Sequence, residues 1–126
     1  MIHIIDVQSR ATIQDLGRFG LRRFGISHSG AMDKLALRAG NILLGNAEGA
    51  PAIEVPLGGL TLQFQQDMNF CVTGAFYEMT LDDKPIFAYW RYQARAGQVL
   101  KMVRAKIGMY GYLCVQGGFL LPQELN

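Results

Sequence analysis

From Ala52 onward the hydrophobic period of this chain is two. The pattern runs in stretches of five to eight residues: 52–57, 60–65, 69–73, 77–81, 85–90, 98–104 and 109–116. Glycine, Asp or Gln separates them, at Gly58 and Gly59, Gln66 and Asp67, Gly74, Asp82 and Asp83, Ala96 and Gly97, and 106–108. Short β-prone runs at near-regular spacing predict a barrel or sandwich of strands. The LDDKPI segment predicts a hairpin with its tight turn at Asp82 and Asp83. Pro56 has no amide to donate, so its run belongs at an edge or a bulge.

Ahead of this alternation, IHIIDV at 2–7 is short and β-branched and predicts a first strand, with a second extended piece at 11–14. Between 15 and 30 the glycines (Gly17, Gly20, Gly25, Gly30) and mixed charges forbid a regular element. A loop that long in a compact domain is more often functional than idle. Ser29 then offers a cap to free amides, and Asp33 suits the first turn of a helix. One principal helix is expected over 31–45, stopping at Gly45 and Asn46. Leu35, Ala39, Ile42 and Leu43 fall at i, i+4, i+7 and i+8 and are expected to face the core, with Lys34 and Arg38 elsewhere. The fold class is therefore mainly β with one helix, in a single domain over 1–126.

Charge narrows the function classes. The net charge of +2 does not call for nucleic acid. Six of the twelve Lys and Arg residues nevertheless lie between Arg10 and Arg38, a local patch suited to a small anion. No apolar run reaches the roughly 18 residues of a membrane span, MIHII is too short for a signal peptide, and a cytoplasmic location is expected. Cys71 and Cys114 lie in apolar runs and are expected as buried thiols. Neither has a second Cys or a His at metal-ligand spacing, so no metal site is expected.

The loop is the candidate site. Arg18, Arg22 and Arg23 are forked donors for a carboxylate or phosphate, and the glycines let backbone amides approach an anion. The bland alternative is that Asp15 pairs with Arg18 and the rest is solvated surface. The spacing is neither GxxxxGK[ST] nor GxGxxG. Asp15, Arg18 and Asp33 are the candidate catalytic residues; Gln14, Arg22, Arg23, Ser29, Asn41 and Glu54 are candidates for binding substrate or anion. Asp33 has a competing role as a helix-start residue. Glu54, inside AIEVPL, is either a buried partnered carboxylate or an outward residue of the alternation. Asn41, mid-helix, faces solvent or bonds something specific. His28 beside Ser29 lacks a fixed third partner for nucleophilic catalysis. His3 is expected to be structural, and Tyr89 and Trp90 to pack in the core rather than line a pocket.

The segments TIQDLGRFGLRRFGISHSGAMDKLALRAGNILLGN, AIEVPLGGLTLQF, VTGAF, GQVL and YLCVQGGF resemble the family of the 5-oxoprolinase C subunit, also known as allophanate hydrolase subunit 2 or biotin-dependent carboxyltransferase subunit. The pattern QDxGRxG…GxxxSGxxDxxAxxxxNxLxGN carries the resemblance across Gln14, Asp15, Gly17, Arg18, Gly20, Gly25, Ser29, Gly30, Asp33, Asn41, Gly45 and Asn46. The resemblance implies a cyclophilin-like β-barrel. It also implies a protein that works with the kinase-inhibitor-like B subunit and the A subunit of the enzyme in ATP-dependent opening of 5-oxoproline to glutamate. Two alternatives follow from the same family: a carboxyltransferase drawing on biotin carried by a partner, as in urea carboxylase, and a non-catalytic regulatory module that binds a kinase-inhibitor-like partner. Family members are roughly twice this length, so the chain is expected to be the N-terminal half of a two-domain protein, inactive alone.

Overall fold

The computed structural model describes residues 2–8, 10–16 and 30–119. In chain order these form β1 (Ile2–Val7), β2 (Thr12–Gln14), α1 (Lys34–Leu43), β3 (Ala52–Pro56), β4 (Leu60–Phe64), β5 (Met68–Leu81), β6 (Lys84–Pro85), β7 (Tyr92–Ala94) and β8 (Val99–Val115). The chain is mainly β with one helix among the described residues, as its periodicity predicts.

The 17-residue β8 organises the sheet. Along one edge it pairs antiparallel with β5 from Phe70 to Leu81. Its other edge is shared: β4 pairs with the stretch from Val99 to Met102, and β3 with the stretch from Tyr110 to Leu113. β1 extends the sheet beyond β4, and β2 beyond β3. One long ribbon with different neighbours at its two ends curls the sheet into a half-barrel. Pro56 lies past the end of β2, where β3 has only β8 beside it, so its missing amide costs no ladder bond.

Several strand boundaries differ from expectation. The runs 69–73 and 77–81 are one strand, and so are 98–104 and 109–116. Gly74 (φ +87°) and Gly108 (φ +84°) are bends inside continuous strands, and the register of β5 on β8 shifts between Gly74 and Phe76. Glycine with positive φ serves a bulge as readily as a turn, and here the partner strand carries the ladder past it. The expected strand at 85–90 is confined to Lys84–Pro85, while β7 has no counterpart in the sequence pattern. The hairpin at Asp82 and Asp83 forms as expected, with φ of +49° and +65° and Leu81 paired to Lys84.

The concave side encloses the main core, which includes Phe64, Phe70, Val72, Tyr77, Leu100, Met102 and Leu113. The convex side carries α1 over a smaller cluster containing Ala36, Leu37, Leu44, Ala52, Cys71, Tyr112 and Cys114. Both cysteines are free and buried, as expected.

The helix is shorter than expected and turned the other way. Asp33 caps it, its side chain accepting from the Ala36 amide at 3.0 Å. The cap is thus not Ser29, which lies outside the described residues. Ala36, Leu37, Gly40, Asn41 and Leu44 face the sheet, while Leu35, Ile42 and Leu43 are exposed. The reason is close approach. A Cβ on Gly40 would collide with Sγ of Cys114 and lie 3.1 Å from Oγ1 of Thr73, so only a small-residue face lets the helix come this near. Tyr89 and Trp90 are exposed rather than packed in the core, because Ile86 and Ala88 take the inward positions of that segment.

Candidate functional site

One rung of the sheet underlies the candidate site. Thr12 pairs with Glu54, Glu54 with Tyr112, and Tyr112 with Thr73, so four strands contribute one residue each at one height. Three of these side chains hold the segment that enters α1. Glu54 Oε2 accepts the amide of Met32 at 2.9 Å and the phenolic hydrogen of Tyr112 at 2.6 Å. The Tyr112 oxygen in turn accepts the amide of Asp33 at 2.8 Å. The Thr73 hydroxyl donates to the Ala36 carbonyl at 2.7 Å.

Glu54 and Thr73 are buried and Tyr112 is wholly so, which makes each of these bonds costly to lose. Burial, reinforced by the neighbouring Glu54 carboxylate, pushes the Tyr112 hydroxyl well above the usual phenol range. It therefore stays a neutral donor to Glu54. A further backbone bond closes the base of the loop: the Ala31 amide donates to the Asp15 carbonyl at 2.8 Å. Both ends of the glycine-rich segment are thus tied to the sheet, one through β2 and the other through the rung.

Of the residues singled out in the sequence, Asp15, Asp33 and Glu54 come together at this base. Glu54 is the buried partnered carboxylate, not the outward one. Gln14 lies beside them on β2, its amide donating to the Thr12 hydroxyl at 3.1 Å. Arg18, Arg22, Arg23, Ser29 and His28 lie outside the described residues. Asn41 is elsewhere, about 12 Å along the helix from Asp33. It is wholly buried and donates to the carbonyls of Glu48 at 3.0 Å and Ala50 at 2.9 Å. Its side-chain oxygen accepts from Asn46 at 3.1 Å. Asn41 thereby fixes the turn after α1 rather than facing the loop base.

Sequence reasoning missed Tyr112 and Thr73. A signal was present: each lies two residues from a buried cysteine in a strand, so each shares that cysteine's face. A separate recess of about 330 Å³ near Asn69, Gln93 and Gln116 contains none of the loop-base carboxylates. Among the described residues no group of three or more His, Cys, Asp or Glu is placed to hold a metal ion. No described helix is long and apolar enough to cross a membrane.

Known proteins match this mainly-β chain along its length. The sequence model of the family described as carboxyltransferase domain, subdomain A and B, matches residues 24–126, and the chain belongs to that family. The whole chain is 89% identical to the 5-oxoprolinase C subunit of Haemophilus influenzae and 47% identical to the 5-oxoprolinase C subunit of Escherichia coli. It spans 41% of the length of each. The crystal structure of the K. lactis urea amidolyase superposes with a TM-score of 0.85 at 29% identity, over 96% of this chain and 7% of that one.

Proposed function

We propose that this chain is the N-terminal part of a 5-oxoprolinase C subunit, acting with the A subunit and the kinase-inhibitor-like B subunit to open 5-oxoproline to glutamate with ATP hydrolysis. The observation that carries the reading is the 89% identity, over every residue of the chain, to a protein of that name. In this reading Arg18, Arg22 and Arg23 hold the substrate carboxylate or a phosphorylated intermediate, and Asp15 orients Arg18. The rung of Glu54, Tyr112 and Thr73 keeps the loop base and the start of α1 at fixed spacing, so that the cationic loop is presented from a rigid support. ATP acts in the assembled complex. The chain by itself is inactive.

The urea amidolyase likeness favours a second reading, carboxyl transfer with biotin on a partner. Identity argues for the first: the urea amidolyase of Lachancea kluyveri is 35% identical, far below the 89% of the oxoprolinase relative.

The deciding experiment measures ATP-dependent glutamate release from 5-oxoproline by the A and B subunits mixed with this chain or with a version extended to the length of its H. influenzae relative. Activity with the extended version alone is expected. A stable complex with the B subunit that releases no glutamate from either version overturns the oxoprolinase reading. Turnover that requires bicarbonate and is abolished by avidin would replace it with carboxyl transfer.

A further inference from the structure

The helix α1 is apolar on two sides. Its sheet-facing side is packed by Ala36, Leu37, Gly40 and Leu44. Its opposite side presents Leu35 (75% exposed), Ile42 (61%) and Leu43 (38%), with Ala39 between them and Met32 (64%) just ahead of the cap. These residues recur at helical spacing over the whole length of α1, and an exposed apolar stripe of this kind rimmed by charge marks an interaction surface. Lys34 and Arg38, both exposed and one turn apart, border the stripe.

We propose that this outer stripe of α1 is the seat of the second part of the same protein. Two observations select that occupant. The chain spans 41% of each C-subunit relative, and the family is described as having two subdomains, A and B. The last described residues also run beside the end of α1. The Gly117 amide is held by the Asn46 side chain at 2.8 Å, and the Phe119 amide by the Pro51 carbonyl at 3.1 Å. Asn46 itself is bonded to Asn41 of the helix. The path therefore passes the C-terminal end of α1 at Gly117, two residues before Phe119 packs into the main core. The matching surface is apolar, edged by carboxylates opposite Lys34 and Arg38. The inference rests on family membership and not on the reaction.

The test uses thiol labelling, because both native cysteines are free and buried. Leu35→Cys, Ile42→Cys and, as a remote exposed control, Lys84→Cys are placed in this chain and in the extended protein. Maleimide labelling of the two helix positions is expected to slow by about 100-fold or more on extension, as for sites exposed only by local opening, with Lys84→Cys unchanged. Equal rates in the two lengths overturn the proposal. So does protection that grows with the concentration of this chain alone, which assigns the stripe to a second copy. Protection that arises only on adding the B subunit overturns it in favour of that partner. Since labelling is read without turnover, its failure is distinguishable from failure of the proposed reaction.

Discussion

Tyr112 places one buried hydroxyl between Glu54, 2.6 Å away, and the amide of Asp33, 2.8 Å away, and so joins the middle of the sheet to the first turn of the helix. Removing the oxygen leaves an amide without its acceptor and a buried carboxylate with one donor fewer. Tyr112→Phe is expected to lower unfolding free energy by about 1–3 kcal/mol, measured by urea denaturation of this chain. An unchanged midpoint at unchanged slope would show that water replaces the hydroxyl.

Gly40 reverses the rule drawn from helix propensity. Alanine is the better helix former by roughly 1 kcal/mol, so Gly40→Ala on an isolated helix stabilises. Here the new methyl meets the Cys114 sulfur and the Thr73 side chain, and overpacking of this kind costs about 1–3 kcal/mol. Net destabilisation is expected in thermal melts; a raised melting temperature would place the helix farther from the sheet.

The rotational setting of α1 is checked by two truncations. Leu37→Ala is expected to cost about 2–5 kcal/mol as a core deletion. Leu35→Ala in this chain is expected to fall within about 0.5 kcal/mol of the parent, because its side chain is exposed. Equal losses at both positions would contradict the observed face.

Alkaline stability follows from two phenols. Burial is the main cause raising both Tyr77, whose hydroxyl donates to the Val55 carbonyl, and Tyr112 above the ordinary value of 10.0. A phenol whose folded value is raised contributes stability that is complete below the unfolded value and is lost as pH climbs toward the folded one. Stability is therefore expected to fall above about pH 10, and Tyr77→Phe or Tyr112→Phe to flatten that fall while lowering the plateau at neutral pH. Denaturant titrations at a series of pH values read both effects.

Arg18→Ala in the extended protein is expected to reduce 5-oxoproline turnover by about 100-fold or more while leaving the melting temperature unchanged, as for loss of one donor to a developing anion. Parental kinetics in the variant would remove the loop from the site.

Much of the candidate site was legible in the sequence because it is written locally. Asp15 and Asp33 flank a glycine-rich stretch, and each advertises itself by its neighbours. Glu54 stood out as a carboxylate in an apolar run, but only the fold decided between its inward and outward readings, since Tyr112 lies 58 residues away in the chain. Tyr112 itself reads as one more aromatic in a strand until β3 and β8 are set side by side. Asn41, equally conspicuous in the helix, serves the turn at Glu48 and Ala50, because an unusual residue signals a specific bond without naming its partner.

By itself the sequence determined the class of structure, the one helix among the described residues, the hairpin at Asp82 and Asp83, and the strands β1, β3 and β4 to within a residue or so at their ends. Those features depend on period and on turn chemistry within a few residues. Tertiary structure decided whether Gly74 and Gly108 end a strand or bend it, since a ladder continues past a bend only if a partner strand is there to receive it. It also decided which apolar side of α1 meets the sheet. Leu35 and Ile42 promised more hydrophobic area, but Ala36 and Gly40 allowed the closer approach, and packing against β5 and β8 settled on the face that fits.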